Sequence, residues 1–244
     1  MDRDLVALLG FVGMFALMAV RVPIGIAMGI AGVGGFALLS GTTPALNLLA
    51  NVPLSVLTNY NLIVIPMFIL MGAFASHSGM STELFKAGRA WLGHRRGGLA
   101  LASIAACGGF SAINGSSVAT AATMTQVALP EMRRAGYHPG FSAGLIAAGG
   151  TLGIMIPPSV IMVLYGIMTE TDITKLFAAG IVPGIMAIGF YCLVVAIVAR
   201  LRPDTMPRGE RLGWGERFAS LRPLWAVVVL FVVYGLFYAI DEAQ

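Results

Sequence analysis

Long apolar stretches separated by short polar segments run along the whole chain. A helix needs about 20 apolar residues to cross the hydrocarbon core of a bilayer, and most of the stretches are close to that length. The pattern predicts an all-α polytopic membrane protein with about six transmembrane helices and one re-entrant helical hairpin. The apolar stretches lie at about 5–20, 24–41, 61–80, 98–130, 141–168, 174–199 and 223–240.

The composition supports the same class of protein. Hydrophobic residues make up 58% of the chain and charged residues only 11%, more apolar surface than a soluble protein of this length needs. The uncharged segment 42–60 is predicted to be a loop. The N-terminus has neither a basic n-region nor a small-residue cleavage site, so the first apolar stretch is expected to be a retained span rather than a signal peptide.

Two basic clusters flank the stretch 98–130 and decide how it meets the membrane. They lie at 86–96 and at Arg133-Arg134, and Lys and Arg are enriched in cytoplasmic loops. If both clusters are cytoplasmic, the stretch between them enters and leaves on the same side, which predicts a helical hairpin turning at about 110–117. A single long tilted helix is the alternative, and it would put the two clusters on opposite sides.

The other loops fit this sidedness. An extracytoplasmic N-terminus places 13 of the 15 Lys and Arg residues on the inner side, but only 5 of the 11 Asp and Glu residues. The acidic segment 169–172 is then outside, and the basic segment 200–222 is cytoplasmic.

Two stretches with an apolar and a charged helical face are expected near the inner surface. In 81–92, where Ser81 or Thr82 is expected to cap the helix, the apolar face carries Leu84, Phe85, Trp91 and Leu92. In 209–222, Leu212, Trp214, Phe218 and Leu221 stand among five charges. Each stretch is predicted either to lie along the inner leaflet or to contact a partner helix.

A polar tip interrupts the predicted hairpin and is the first candidate site. Non-helical chain at membrane depth is tolerated only where it is buried in protein or lines a cavity. Glycine there lets carbonyls turn toward a ligand, and hydroxyl and amide groups add neutral oxygens, which suit sodium better than a divalent metal. The alternative is that these side chains only cap and pack the turn. The candidate residues are Ser111, Asn114, Gly115, Ser116, Ser117 and Thr120.

A second interruption follows at 149–159, inside the next apolar stretch. Proline removes an N–H and disfavours the helical conformation before it, so free carbonyls are expected near 152–156. Two breaks in close succession are typical of a transporter site built from backbone and hydroxyl groups. A plain proline kink is the alternative. The residues singled out are Gly149, Gly150, Thr151, Gly153, Pro157 and Pro158.

The sequence does not indicate an enzyme or a nucleic-acid-binding protein. It contains no HExxH, GxSxG or Walker motif, and all eleven acidic residues fall in loops or at ends. No clustered basic face with stacking aromatics is present. Cys107 and Cys192 lie in apolar runs and are expected to be small buried residues.

Several motifs together resemble the large membrane subunit of tripartite ATP-independent periplasmic (TRAP) transporters. The resemblance covers about 20–200 and is carried by Gly97-Gly-Leu-Ala100, Ser111–Thr120, Leu129-Pro-Glu-Met-Arg-Arg134, Gly136-Tyr137, Ala147–Ile154, Ile156-Pro-Pro-Ser159, Leu164-Tyr-Gly166 and Ala179–Gly184. It implies the first repeat of an inverted-repeat, elevator-type transporter that couples sodium entry to uptake of an organic acid, a dicarboxylate or a sugar acid. The implied partners are a small membrane subunit, a periplasmic binding protein and the lipid of the bacterial inner membrane.

The resemblance also assigns roles along the chain. Ser111–Thr120 corresponds to the first hairpin and Gly149–Ser159 to the unwound segment facing it, and together they form a sodium site and one wall of the substrate pocket. No cofactor is expected, and sodium, as the coupling ion, would be held by Ser111, Asn114, Gly150 and Gly153 through backbone and side-chain oxygens. Asn114 stands where many members have serine. The implied regions are scaffold helices 1–80, an interfacial helix 81–97, the hairpin 98–134, a discontinuous helix 135–172 and connecting helices 173–244.

This chain differs from the family in length. Members of the family are about twice as long and carry a second, inverted repeat with another hairpin. The expected function is therefore that of one half of a transporter subunit, with a second half as a further partner. The alternative is an orphan or truncated half without transport activity that acts in assembly or regulation.

Overall fold

A computed structural model describes residues 3–209, 211–225, 227–229 and 232–233, apart from the side chain of residue 61. The described chain is helical, and its β-structure is limited to one isolated bridge between Arg96 and Arg208. This agrees with the predicted all-α class. The predicted helix at 223–240 lies largely outside the described residues.

The chain divides into two compact units at Leu62 and Ile63. In the first unit, α1 packs against α2, and α2 packs against α3. The short connection between α1 and α2 contains Arg21, with a φ of 70°, and Pro23, where the sequence predicts a break. The helices are α1 Arg3–Ala19, α2 Ile24–Ser40 and α3 Thr42–Thr58.

The prediction of a loop at 42–60 is wrong, because α3 fills most of this segment. Pro44 lies in the first turn of the helix, where the missing N–H would have no intrahelical partner in any case. Pro53 lies inside the helix. The hydroxyl groups of Ser55 and Thr58 donate to carbonyls one turn earlier, so polar residues that suggest a loop are accommodated within a helix.

The second unit contains the candidate site and is built around one helical hairpin, α6 and α7. The hairpin is antiparallel, because Ser103 near the start of α6 donates to the sulfur of Met132 near the end of α7, at 3.6 Å. Its core includes the buried side chains of Ile104, Cys107, Met124, Ile146 and Leu152. The helices are α4 Val64–His77, α5 Met80–Leu92, α6 Gly98–Asn114, α7 Ser117–Arg134, α8 Pro139–Gly150, α9 Leu152–Met155, α10 Val160–Thr169, α11 Ile173–Leu201 and α12 Trp214–Ala219.

Helix α5 forms where the amphipathic pattern predicts a helix, and it packs along α6. Phe85 is buried in the core, and a Cβ at Gly88 would lie 3.1 Å from the carbonyl oxygen of Ala102. The helix begins after Gly79 in a left-handed conformation, so neither Ser81 nor Thr82 is its cap. The structure thus gives α5 a partner helix, whereas its location along the inner leaflet stays a prediction.

Among the described residues of the second amphipathic stretch, 209–222, an α-helix covers only a short part. Helix α12 covers six residues and contacts α5. The Trp91 indole N–H donates to the carbonyl of Arg217 at 3.3 Å, and the Trp91 and Phe218 rings meet edge to face.

Two helical segments of the described residues are long and apolar enough to cross a membrane. One is α11, and the other is Pro139–Thr169, which comprises α8, α9 and α10. A third is obtained if α4 and α5, which are bent by 56° relative to each other, are taken as one span. The predicted number of spans and the inverted repeat therefore stay predictions.

Candidate functional site

The chain reverses at the polar tip, inside the range predicted for the turn. Helix α6 ends at Asn114, and Gly115 follows with a φ of 63°, a conformation that glycine adopts without a steric penalty. Ser116 is the N-cap of α7, and its hydroxyl accepts a hydrogen bond from the Ala119 N–H at 3.4 Å. Ser116 therefore has a structural role at this turn.

The second interruption is shorter than the sequence suggests. Gly149 and Gly150 are helical residues of α8, and Gly153 belongs to the single turn of α9. Extended backbone is confined to the segment between Met155 and Val160. The expectation that the chain unwinds from Gly149 onward is therefore wrong.

Close packing explains the helical glycines better than unwinding does. A Cβ at Gly149 would lie 2.8 Å from the Cys107 sulfur, and one at Gly150 would lie 2.7 Å from the Ala121 Cβ. Both distances are shorter than side chains permit, so only glycine lets α8 approach the hairpin this closely. Glycine in a helix costs about 1 kcal/mol relative to alanine, and here the close approach requires it.

The two prolines leave carbonyls without their helical donors. The residues four positions after Gly153 and Ile154 are Pro157 and Pro158, which have no N–H. The Ser159 hydroxyl donates to the Ile154 carbonyl at 3.0 Å. No described residue donates to the carbonyl of Gly153. The sequence predicts free carbonyls near 152–156, and the Gly153 carbonyl agrees with this prediction.

The structure brings the hairpin tip and the second interruption into direct contact. A Cβ at Gly153 would lie 2.5 Å from the carbonyl oxygen of Ser116 and 2.8 Å from the amide nitrogen of Ser117. A Cβ at Gly115 would lie 2.6 Å from the Pro158 carbonyl oxygen. The Val160 N–H also donates to the Gly115 carbonyl at 3.3 Å. Backbone therefore meets backbone at this contact, which we call the glycine contact.

Three side-chain atoms at the tip are buried and have no hydrogen-bond partner among the described residues. The atoms are Ser111 Oγ, Thr120 Oγ1 and Asn114 Nδ2. The side chains of Ser111 and Thr120 are completely buried. A buried polar group without a partner costs about 1–3 kcal/mol, and native proteins keep few of them except where an ion, a water or a substrate is bound.

Asn114 and Thr151 have neighbours that the sequence analysis does not predict. The Asn114 amide oxygen contacts Gly72 of α4, and its carbonyl oxygen would lie 3.3 Å from a Cβ there. The Thr151 hydroxyl donates to the Ala148 carbonyl and lies 2.8 Å from the Tyr191 hydroxyl of α11. The Thr151 hydroxyl is therefore hydrogen-bonded within the protein, whereas the amide nitrogen of Asn114 has no partner among the described residues. The sequence analysis missed Gly72 and Tyr191 as neighbours of the site. Gly72 could have been noticed only as a small residue in an apolar helix, and Tyr191 only as a polar aromatic residue in another.

Helix ends supply the electrostatic field at the tip. The carboxyl end of α6 and the amino ends of α7 and α10 meet at the glycine contact. Carbonyls at a helix C-terminus favour a cation, and N–H groups at a helix N-terminus favour an anion. Among the described residues, no group of three or more His, Cys, Asp or Glu side chains could hold a metal ion. The local chemistry consists of hydroxyls, amides and peptide groups.

Comparison with known proteins gives a consistent family. The family described as "Tripartite ATP-independent periplasmic transporter, DctM component" matches residues 11–241. The C4-dicarboxylate TRAP transporter large permease protein DctM of Vibrio cholerae is 35% identical over 235 residues, or 96% of this chain and 51% of the relative. Its counterpart in Pseudomonas aeruginosa is 42% identical over 182 residues, or 74% and 42%.

A relative with a different substrate in its name matches over a similar range. The ectoine TRAP transporter large permease protein TeaC of Halomonas elongata is 33% identical over 238 residues, or 94% of this chain and 55% of the relative. The chain spans about half the length of these curated relatives. The resemblance drawn from the motifs is confirmed: the chain is a membrane protein that belongs to the DctM component family of tripartite ATP-independent periplasmic transporters.

Proposed function

We propose that this chain forms the first half of the membrane subunit of a sodium-coupled TRAP transporter that takes up an organic acid. The observation that carries the proposal is the set of buried, unpartnered polar atoms of Ser111, Asn114 and Thr120 beside the glycine contact. Two interrupted helical elements that meet backbone to backbone are the usual setting of ion and substrate sites in secondary transporters.

Sodium is the ion that this chemistry favours. The hydroxyls of Ser111 and Thr120 and the free carbonyl of Gly153 are neutral oxygens, and a hard monovalent cation accepts such ligands. The amide oxygen of Asn114 contacts Gly72, and a half-turn of the amide about its last torsion exchanges that oxygen with the unpartnered nitrogen. After that rotation the side-chain oxygen of Asn114 is available as a sodium ligand. In either orientation its main-chain carbonyl lies in the last turn of α6, where carbonyls have no intrahelical donor.

An organic anion is the substrate class we propose. The amino ends of α7 and α10 present N–H groups at the tip, which suits a carboxylate. Two of the three relatives are named for C4-dicarboxylates and the third for ectoine, so a dicarboxylate is the first substrate to test. A periplasmic binding protein would deliver it, a small membrane subunit would brace the scaffold, and the rest of a full-length subunit would complete the pocket in the inner membrane.

Uptake measurements with a matched pair of glycine variants test the proposal. The Gly153→Ala variant places a methyl group against the backbone of Ser116, and we expect it to abolish sodium-dependent uptake of labelled succinate. The Gly144→Ala variant adds the same methyl group to α8, where nothing lies within 4 Å, and we expect it to keep wild-type uptake. Both are measured in cells that express the chain together with a candidate binding protein, a small membrane subunit and the remaining half of a large subunit, in sodium and in potassium buffers.

Each outcome of this experiment has a definite meaning. Loss of sodium-dependent uptake in Gly153→Ala at wild-type expression, together with normal uptake in Gly144→Ala, would support the proposal. Uptake that does not distinguish sodium from potassium, for succinate and for a panel of dicarboxylates and sugar acids, would refute it.

A further inference from the structure

The second unit also contains a strongly basic pocket, and none of the tip residues lines it. It has a volume of about 690 Å³, and none of its lining residues that the structure describes is acidic. The ion pairs of the described residues use Glu83 and Glu131 and involve none of the arginines of this pocket. We call it the arginine pocket, and its basic lining residues are His94, Arg95, Arg96, Arg200, Arg208 and Arg211.

Backbone contacts hold the walls of the arginine pocket in place. The loop after α11 pairs with the loop after α5 through the bridge between Arg96 and Arg208. The Gly209 N–H donates to the Gly93 carbonyl at 3.1 Å. Met206 is fully buried in the core beneath this pairing. The arginines therefore project from two anchored loops and from the end of α11.

One polar atom in the pocket is poorly satisfied. The Nδ1 atom of His94 is buried and has no hydrogen bond of good geometry with a described residue, and the Trp91 backbone acts on the ring only as the smallest influence on its pKa. Partial removal from water, followed by the positive charges of Arg217, Arg211 and Arg95, lowers the pKa of His94. The direction of this shift reflects the positive potential of the pocket, which an anion would relieve.

One side of the pocket, formed by α11 and α6, is apolar. Leu101, Ala196 and Ala199 complete its lining, and the exposed side chains of Ile197 and Leu201 continue from it along α11. Because α11 is long and apolar enough to cross a membrane, these side chains provide a surface for acyl chains next to the charges.

Exposed aromatic side chains near the pocket are of the kind that is found at the level of lipid headgroups. Trp214, Phe218 and Trp225 are each at least 60% exposed, and α12, which carries the first two, lies in the same basic segment as Arg208 and Arg211. Tryptophan and tyrosine are enriched at the boundary between membrane and water, where an amphipathic ring is most stable. The charge distribution also predicts the cytoplasmic side for this segment, and that leaflet carries the anionic lipids.

We propose that the arginine pocket binds the phosphate headgroup of an anionic phospholipid whose acyl chains lie along α11. A phosphate oxygen accepts the charge-assisted hydrogen bonds that arginine donates, and the adjoining apolar helix distinguishes a lipid from a soluble phosphate. The proposal depends on the membrane location of the chain and not on sodium coupling, so it can fail or hold independently of the transport function.

Intrinsic fluorescence offers a direct assay, because the three tryptophans of the chain are Trp91, Trp214 and Trp225. The first two flank the Phe218 ring, and Trp225 follows α12. Quenching is measured for the full chain in bilayers that mix brominated phosphatidylglycerol with unbrominated phosphatidylcholine, and then with the bromine on phosphatidylcholine. The ratio of the two quenching curves gives the preference of the site for the anionic lipid.

The variant Arg208→Gln/Arg211→Gln removes two charges from the pocket, and the control Arg133→Gln/Arg134→Gln removes two from the same predicted side outside it. One arginine near an anionic surface contributes about a fivefold preference, so we expect the pocket variant to lose roughly 25-fold at most and the control to stay near wild type. A second pocket pair, Arg95→Gln/Arg200→Gln, repeats the test on different elements in case the first variant folds poorly.

Three results would overturn the proposal. The first is a wild-type chain without preference for phosphatidylglycerol. The second is an equal loss in the pocket and control variants, which would indicate a general surface charge. The third is displacement of the brominated lipid by millimolar glycerol phosphate, which carries the headgroup chemistry without acyl chains and would assign the pocket to a soluble anion.

Discussion

Replacing Thr120 by valine separates a ligand role from a packing role at the hairpin tip. The side chain is completely buried, and its hydroxyl has no partner among the described residues. Valine keeps the shape and removes the hydroxyl. In the absence of sodium, relief of the desolvation penalty is expected to raise the free energy of unfolding by about 1–3 kcal/mol.

Sodium should stabilise the wild type but not the variant. A ligand that binds only the folded state at ten times its Kd stabilises that state by about 1.4 kcal/mol. For a chain of this length the gain corresponds to a rise in Tm of roughly 3–6 °C. We expect the wild type to show this rise and Thr120→Val to show none, because the variant lacks one of the oxygen ligands.

The assay is thermal unfolding of the purified chain in detergent, in sodium chloride and in potassium chloride of equal ionic strength. Thr125→Val is the matched control. Its hydroxyl lies on the same helix and donates to the Ala121 carbonyl at 2.7 Å, so this variant should keep the full sodium response. A Thr120→Val chain that gains as much from sodium as the wild type would refute the ligand role of this hydroxyl.

Two further predictions concern the turns. Gly115→Ala should destabilise the fold more than Gly79→Ala in thermal unfolding. Both glycines have positive φ, but only Gly115 would also bring its methyl group within 2.6 Å of a carbonyl oxygen, so equal losses would disprove the close contact. Asp172 caps α11, and the Thr174 N–H that it accepts lowers the pKa of its carboxyl group. A lowered pKa adds stability above the unfolded value of about 3.9 and loses it as the pH falls through the folded value. Relative to Asp172→Asn, which keeps the cap without titrating, the wild type should therefore lose stability as the pH falls below the unfolded value of about 3.9, and parallel curves would contradict this.

The sequence predicted the hairpin well because its signals are local. Basic residues at both ends of 98–130 implied a reversal, and Gly115 with Ser116 supplied the residues that a tight turn and a helix cap require. The amphipathic pattern predicted α5 for the same reason.

The errors arose where one residue type serves two purposes. Glycine permits an unwound chain and also permits close helix packing, and the sequence alone does not show that Cys107 and Ala121 lie against Gly149 and Gly150. Proline ends a helix in most positions but is tolerated in its first turn, so Pro44 is compatible with α3 although the segment 42–60 is predicted to be a loop. Contacts between distant segments decide such cases.

The glycine contact also determines how this part of the molecule can move. The hairpin tip and the segment 153–160 touch through main-chain atoms, which cannot change rotamer to make room for sliding. The two elements should therefore travel as one rigid body. Any motion that opens the tip to water then has to occur at its softer boundaries, where the Asn114 side chain rests on Gly72 of α4 and a single hydroxyl pair joins Thr151 to Tyr191.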